Sequence, residues 1–455
     1  MNGGPCFRLL LCFLCWLLLS FFPPLAASGE PPLSLTLTEA IQTAVENNPE
    51  MTAAESQVEA AQTRVRQVQS GFYPQLSFSE TFQQTTNPVG TFGTKLNQAA
   101  ITRQDFAPDR LNDPDAINNF ITAFNLDWSL YSGGQTRIGL AQARENSRGT
   151  ELMLKRTRQH VIAKTARAYV GLLLAHKHVD VIRQALETAQ ANLAMVDSRF
   201  RGGFVVKSDL LRAQVRIAEL EQELLTAESR IDIAEAMLAA SMGTSERLHY
   251  RPAGALEQCR QVDGDRQHWI EKALSTRPDL EQLRLQKAIA EKEIDKTRAA
   301  HLPDVNLFGT YEVNSEDFSD TADNYSVGAM VRLNLYSGHR LSAQTAEARA
   351  THRRIGAVIR NMELGVQVEA EQAFLEAKSA WQRIGVADKA VDQAKEGLRI
   401  VKNRYNSGLL TIVGLLDAEV SLQQAQTRHF RALHGYKVSR IQLALAAGVL
   451  DVDFQ

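Results

Sequence analysis

Cysteine is scarce in this sequence, and its placement excludes a disulfide framework. Only four cysteines occur in 455 residues, and all but Cys259 lie before residue 16. We interpret residues 1–28 as a secretory signal peptide, because Arg8 precedes a nearly unbroken apolar run over 9–22 that is too short for a membrane span. Removal of this segment would leave Cys259 as the single cysteine, so an internal disulfide is impossible.

The sequence after residue 28 also lacks long apolar runs and an excess of one charge. No stretch approaches the about 20 apolar residues that a transmembrane helix requires. The net charge is −2, from 50 basic and 52 acidic residues, which excludes the broad basic surface of a nucleic-acid-binding protein. We therefore expect neither a helical membrane anchor nor a nucleic-acid partner.

Catalytic and metal-binding signatures are missing as well. The sequence has no phosphate-binding glycine loop, no nucleophile elbow and no Cys/His set with metal-ligand spacing. His176 and His178 are two apart on a predicted helix and so point to different faces, which favours a solvated helix surface over a metal site. We expect no enzyme, no cofactor and no metal.

What the sequence does contain is an internal repeat. Three motifs recur at a spacing of about 205 residues and two prolines at about 229, so the first copy has a longer loop. The matches are Leu130-Tyr131-Ser132-Gly133 with Leu335-Tyr336-Ser337-Gly338, Gly203 with Gly408, Gly243 with Gly448, Pro49 with Pro278 and Pro74 with Pro303. We expect a first repeat over 29–243, a linker over 244–267, a second repeat over 268–448 and a tail over 449–455.

Each repeat contains a stretch in which apolar and polar residues alternate, which predicts strand hairpins at about 74–131 and 303–336. The alternating apolar residues are Leu76, Phe78, Phe82, Phe120, Phe124, Leu126, Trp128, Leu130, Val305, Leu307, Val313, Tyr325, Val327, Ala329, Val331, Leu333 and Leu335. Alternation alone is also typical of a half-buried strand in a soluble sheet. The export signal, strands of about 10–12 residues and aromatic residues near the strand ends favour a membrane barrel.

Four strands per chain cannot close such a barrel, and open sheet edges do not persist in lipid. The chain is therefore expected to oligomerise. Three copies would supply twelve strands, which is a permitted even number. The segment 84–118 is long, polar and rich in Asn, Asp and Pro, and we expect it to be an exposed extracellular loop.

The other segments are predicted to be helical. Thr38 is predicted to cap a helix that runs to about Gly71. Two proline-free stretches, from about residue 134 to Arg199 and from about 339 to Arg404, predict helices of roughly 66 residues, about 100 Å long. A shorter helix with coiled-coil spacing returns after each long one. These lengths predict a rod with strand hairpins at one end and helical tips at the other.

These features, in this order, resemble the TolC family of outer-membrane efflux channels over nearly the whole mature chain. The resemblance is carried by Leu35-Thr36-Leu37-Thr38-Glu39-Ala40 with Asn48-Pro49, by the two Leu-Tyr-Ser-Gly junctions and by the tips at 199–209 and 404–417. It implies a mixed fold of all-α coiled coil plus transmembrane β, in which a trimeric twelve-stranded β-barrel in the outer membrane continues into a twelve-helix periplasmic α-barrel. It also implies an exit channel of a tripartite efflux or type I secretion system.

The same resemblance assigns partners and roles. A periplasmic adaptor protein would dock at the tips, at Gly203, Gly408, Leu210 and Leu415, and an inner-membrane pump would drive transport. Asp417 corresponds to the second of two aspartates that ring the closed entrance of the family, and Gly414 stands in the place of the first.

Four more residues are implied to form a tip network. Asp209 and Tyr405 correspond to a pair that holds neighbouring helices closed, and Arg199 and Arg404 end the two long helices beside them. Leu410 stands where the family often has an arginine, so part of the closing network is missing.

Other interpretations of these residues remain open at this point. Asp417 is also explained as an ordinary surface or helix-start residue, and the tip glycines as turn residues. A periplasmic coiled-coil adaptor or scaffold without a pore would share the helical hairpins but not the paired strand hairpins. A hydrolytic enzyme would need a catalytic constellation, which the sequence lacks.

Overall fold

A computed structural model describes residues 33–245, 249–257 and 260–452 of the chain. The predicted signal peptide and Cys259 lie outside the described residues. Ten α-helices and six strands are found within these ranges. Among the helices described, none combines the length and the apolar character needed to cross a bilayer.

The elements follow one another in two similar series. The first series is β1 (Leu33–Leu35), α1 (Leu37–Asn47), α2 (Pro49–Gln69), β2 (Gln75–Thr85), α3 (Pro88–Asn97), α4 (Pro108–Asn112), β3 (Ile117–Ser132), α5 (Gln135–Arg201) and α6 (Lys207–Met242). The second is β4 (Tyr250–Pro252), α7 (Arg266–Thr276), α8 (Pro278–Ala299), β5 (Asp304–Ser315), β6 (Ala322–Arg332), α9 (Arg340–Asn406) and α10 (Ile412–Ala446).

The first helix begins earlier than predicted. Thr36, and not Thr38, provides the cap: its hydroxyl accepts a hydrogen bond from the Glu39 backbone N–H at 3.2 Å, and the Glu39 carboxylate accepts one from the Thr36 N–H at 2.8 Å. This reciprocal pair is a capping box, which requires the three-residue spacing that Thr38 does not have to Glu39. The helix also ends at Asn47, because Asn48 caps a separate helix that starts at Pro49.

The chain divides into two units. The first holds the described residues of Met1–Thr43, Thr165–Gln258 and Ala387–His434, and the second holds those of Ala44–Lys164, Cys259–Val386 and Gly435–Gln455. The first unit contains the helical tips and a short parallel ladder of β1 with β4 that the sequence did not indicate. The second contains the main sheet.

The main sheet has four antiparallel strands in the order β2-β3-β5-β6. Residues directly opposite one another share a face of a sheet. One cross-strand row is Leu76, Leu126, Gly309 and Val327, and the next row along the strands, on the opposite face, is Ser77, Asn125, Thr310 and Ser326. The sheet therefore has one apolar and one polar face, as the alternation predicted.

The last strand is shorter than predicted. It ends at Arg332, which pairs with Asp304, the first residue of β5. Leu333, Asn334 and Leu335 lie beyond the strand because β5 offers no further residue to pair with them. The prediction of an extended strand up to Leu335 is wrong for the single chain.

The segment between β2 and β3 is structured, whereas we predicted an exposed polar loop. It contains α3, a short 3-10 helix over Arg103–Phe106 and α4. Lys95 and Asp105 form an ion pair at 2.6 Å that joins two of these pieces, and the Phe92 and Phe106 rings pack edge to face at 5.5 Å.

In the second unit, a buried cluster of charges holds the end of α10. The Arg156 guanidinium donates to the Leu445 carbonyl at 2.8 Å and lies 3.5 Å from the Asp279 carboxylate. Arg277 donates to Asp279 at 2.7 Å and to Glu369 at 2.5 Å. Arginines placed at helix C-terminal carbonyls complement the helix dipole and satisfy acceptors that have no partner within the helix. Four helices are joined by this cluster.

Candidate functional site

The two helical tips in the first unit have the same backbone geometry. Gly203 and Gly408 adopt left-handed φ angles of +77° and +73°. Behind them the Phe204 N–H donates to the Arg199 carbonyl, and the Leu409 N–H donates to the Arg404 carbonyl, both at 2.9 Å. This is the hydrogen bond of a helix C-terminus closed by a left-handed residue, which glycine adopts without strain.

Each tip has one highly exposed apolar side chain directly after its glycine. Phe204 is 83% exposed and Leu409 is 73% exposed. Sequence reasoning missed both residues, although they are equivalent positions of the two repeats. A single exposed apolar residue is common on protein surfaces, so the informative observation is that both repeats carry one at the same position.

The two leucines that we predicted to meet an adaptor lie in the tip core. Leu415 is fully buried with Val196, Tyr405 and Ile412, and Leu210 packs against the same cluster. Their spacing marks the first residue of an apolar seam, and that seam faces the neighbouring helices of the same chain. In this conformation of the single chain Leu415 has no exposed surface for a partner, so a docking role would require the tip to open.

Arg199 joins the two tips within one chain. Its guanidinium donates to the Tyr405 and Asn406 carbonyls, both at 3.2 Å, and its central carbon lies 4.9 Å from the centre of the Tyr405 ring. The contact places a cation on the last carbonyls of α9 and over an aromatic face, and both interactions are favourable. Arg404, the equivalent residue of the second tip, is exposed.

Tyr405 is buried, but its hydroxyl has no hydrogen-bond partner among the described residues. The implied pairing with Asp209 is therefore not made through this hydroxyl within one chain. Asp209 lies in the first turn of α6, close enough to oppose ionisation of Tyr405. Burial is the larger cause that raises the pKa of Tyr405.

Asp417 is exposed on α10. The helix begins at Ile412, so Asp417 is its sixth residue and lies beyond the first turn. The helix dipole acts mainly within the first turn, so it supports this carboxylate only weakly. A side chain added at Gly414 would meet nothing within 4 Å, so the position next to Asp417 on the tip side is open.

A polar layer behind the tips was not foreseen. The Asn192 amide of α5 donates to the Glu419 carboxylate of α10, and Arg216 of α6 donates to Gln423 of α10. Gln423 in turn donates to Glu223 at 2.7 Å. Burial raises the pKa of Glu419. Polar residues inside a helical seam fix which helices pair, and here they tie α10 to both α5 and α6.

The apolar face of the four-stranded sheet is a second candidate functional surface. Leu76 is 72% exposed and Val327 is 75% exposed, and Phe78, Phe124, Tyr325 and Val331 are exposed beside them. A contiguous apolar face of this kind is not stable in water. Both edge strands, β2 and β6, also have one side without a strand partner in the part of the chain that the structure describes.

The described ranges contain no group of three or more His, Cys, Asp or Glu residues placed to hold a metal ion. His176 and His178 are half-buried on α5, and this burial lowers the pKa of each, so both are neutral at pH 7.

Comparison with known proteins identifies the family to which the chain belongs and the fold that it shares with solved structures. The sequence model of the family described as "Outer membrane efflux protein" matches residues 40–244 and 269–449. The alkaline protease secretion protein AprF of Pseudomonas aeruginosa is 24% identical, over 93% of this chain and 86% of that protein. The outer membrane protein TolC of Vibrio cholerae is 24% identical, over 91% of each.

Solved structures are similar over the same extent. The outer membrane protein VceC of Vibrio cholerae gives a TM-score of 0.71 at 20% identity, over 90% of this chain and 96% of that chain. A membrane protein of Pseudomonas aeruginosa gives 0.76 at 18% identity, over 90% of each. At this identity the likeness shows the fold, which is the predicted one.

The tip contacts predict different effects for two substitutions. Arg199→Ala removes the cation from the last carbonyls of α9 and should raise the rate of chymotrypsin cleavage after Phe204 or Leu409 severalfold. Tyr405→Phe removes a buried hydroxyl that has no hydrogen-bond partner among the residues the structure describes, and it should leave this rate unchanged or lower it. Cleavage followed by mass spectrometry measures both rates.

Arg201→Ala is the matched control, because Arg201 is an exposed arginine at the same tip that pairs with Asp197 on the surface. If Tyr405→Phe opened the tip as much as Arg199→Ala, the hydroxyl would have to bond to a residue outside this chain.

Proposed function

This chain belongs to the outer membrane efflux protein family, and we propose that three copies of it form the conduit of a tripartite efflux or type I secretion system. The protein is an outer-membrane exit channel, with its helical part in the periplasm. The proposed trimer, the docking of an adaptor and an inner-membrane pump, and the roles of individual tip residues go beyond this family assignment. We also propose that the channel itself performs no chemical reaction and that the pump supplies the energy.

The two-faced sheet is the observation that supports the trimer most strongly. Its exposed apolar face fits the hydrocarbon of a membrane, and its polar face fits a water-filled lumen. The free edges of β2 and β6 require strand partners in lipid, where an unpaired backbone group costs several kcal/mol. Pairing β6 of one copy with β2 of the next satisfies both edges, and three copies give a closed barrel of twelve strands.

The helices of the first unit support the same assembly. The buried seam of α6 packs inside the chain, with Leu220 and Ala227 in its core. A second stripe on this helix, at Leu211, Val215, Leu225, Ile233 and Met237, is exposed. Apolar residues on two sides of one helix indicate two neighbours, and the second neighbour is proposed to belong to another copy. A soluble scaffold would leave this stripe and the sheet face in water.

We propose that the sequence is one duplicated unit, over 29–243 and 268–448, joined by the linker 244–267 and followed by the tail 449–455. The family model matches in two segments with similar limits, and both tips use the same hydrogen bonds.

An adaptor is proposed to dock at the two tips. Phe204 and Leu409 would provide the apolar contact, and Gly203 and Gly408 the turn that presents them. Because both glycines have left-handed φ angles, a β-branched residue at either position would strain the reversal. Leu210 is half-buried at the tip and remains a proposed contact, whereas Leu415 would contact the adaptor only in an opened tip.

The entrance is proposed to be ringed by Asp417. Three-fold symmetry would bring three copies of this exposed carboxylate around one axis, where they attract cations. Gly414 adds no side chain, so Asp417 is the main charge of this constriction. Arg199 would hold the end of α9, and the polar layer at Asn192 and Glu419 would hold α10, in the resting position. These contacts would replace the one that an arginine at position 410 would make.

If the sheet lies in a membrane, neighbouring residues of β6 should differ in how well they tolerate a lysine substitution. Val327→Lys places a charge on the apolar face and should destabilise insertion by about 2–4 kcal/mol near mid-membrane, whereas Ser326→Lys on the polar face should be tolerated. Both variants add one lysine to the same strand, so each controls for the other. Outer-membrane fractionation and heat-dependent mobility on gels measure insertion, and equal tolerance of both lysines would contradict a lipid-facing sheet.

The entrance predicts a change in ion selectivity. Asp417→Ala should weaken both the preference for cations and the block by multivalent cations from the tip side, and Gly414→Asp should strengthen both, because it adds three charges next to the existing ring. Single-channel recording in planar bilayers measures these properties. Glu221→Ala removes an exposed carboxylate elsewhere on the helices and serves as the control. Selectivity that survives Asp417→Ala unchanged would place the constriction elsewhere.

A further inference from the structure

The segment between β2 and β3, residues 86–116, folds onto the polar face of the sheet. At the end of α3 the Gln98 amide donates to the Asn119 side-chain oxygen at 2.9 Å and to the Asn118 carbonyl at 2.7 Å. The Asn119 amide then donates to the Asn314 side-chain oxygen at 2.8 Å. Asn119 and Asn314 both belong to the polar face, so the segment is bonded to the side of the sheet that faces away from the apolar surface.

The burial of side chains along β3 agrees with these hydrogen bonds. On the polar face, Ile117, Asn119 and Ala123 are buried at the end of β3 next to the segment. Farther along the same face, Asp127 and Ser129 are exposed. The sheet itself does not account for this difference, because all five residues point to one face of one strand. The segment therefore covers one end of the polar face and leaves the rest open.

The segment is itself rigidly built. The Asp105 carboxylate accepts from Lys95 at 2.6 Å and from the Thr102 N–H and hydroxyl, both at 2.7 Å. These bonds, first of all that from Lys95, hold the pKa of Asp105 far below its usual range, so this carboxylate stays ionised at neutral pH. Ala99, directly after Gln98, has a left-handed φ of +50°, which is strained for alanine and fixes the direction of the chain beyond the contact.

We propose that residues 86–116 form a mouth cover: a folded constriction inside the extracellular opening of the channel that sets the size of solute able to pass. The inference rests on the proposed function, because the polar face lines a lumen only when the sheet is part of a closed barrel. Three copies of the cover would then narrow one mouth. The bonds from Gln98 to Asn118 and Asn119 fasten the cover to the wall, and the Lys95–Asp105 pair keeps it folded.

This constriction differs from the one proposed at Asp417 in place and in kind. The cover contains three basic and four acidic residues, so its charges nearly cancel. It should therefore restrict solutes mainly by size, whereas the Asp417 ring selects by charge. Solutes entering from the medium meet the cover first.

The test compares polymer access from the two sides of single channels in planar bilayers. The full mature chain is used with Lys95→Ala and Gln98→Ala combined. These changes remove the ion pair that keeps the cover folded and the bonds that attach it to the wall. The matched control combines Asn97→Ala and Arg110→Ala, two exposed residues of the same segment, and it removes one amide and one positive charge as well. Polyethylene glycols of increasing size, added to one side at a time, measure the size limit of each mouth.

The proposal expects the double variant to admit larger polymers from the loop side and to conduct severalfold more, while the size limit from the tip side and the control stay as in the unchanged protein. Replacement of residues 88–114 by a short Gly-Ser linker should act in the same direction and more strongly. If neither change alters the loop-side limit, the segment is no constriction and the proposal is overturned. If the unchanged protein forms no channel at all, the proposed function fails first, and the two failures are thus distinguished.

Discussion

The hydrogen-bonding requirement of two sheet edges governs the rest of this structure. Within the described residues of a single chain, β2 and β6 each have a strand on one side only, and the sheet carries an exposed apolar face. Water would satisfy the edges but not the face, and lipid would satisfy the face but not the edges. Only closure with further copies inside a membrane satisfies both, which is why the proposed assembly follows from the sheet before any helix is considered.

The positions of the strands in turn limit how the helices can be arranged. Each long helix continues from a strand through a glycine junction, and each must reverse at its far end to return. The left-handed glycines Gly203 and Gly408 make that reversal without strain. The end of α10 is then secured by Arg156 and Arg277, which donate to its last carbonyls from helices distant in sequence.

Features with a local physical cause were predictable from the sequence. The alternation around Phe78 and Val327 requires a strand with two different faces, and the tip glycines require a reversal. The capping box from Thr36 to Glu39 was also readable, and assigning the cap to Thr38 overlooked its three-residue spacing.

Features that depend on partners far away in the chain were not predictable. The end of β6 at Arg332 is set by where β5 begins, and the burial of Leu415 by the packing of Val196 and Tyr405 around it. The bonds from Gln98 to Asn119 and from Asn192 to Glu419 join residues whose types, amide and carboxylate, are common on any surface. A single sequence carries no signal that distinguishes these from solvated side chains.

The stoichiometry of the detergent-extracted protein tests the closure of the sheet most directly. Native mass spectrometry of protein taken from outer membranes should give a single species with three times the mass of the mature chain. Cysteines placed on β2 and on β6 should form disulfides only between copies. A stable monomer with its sheet intact, or the same disulfides formed within one chain, would contradict the account.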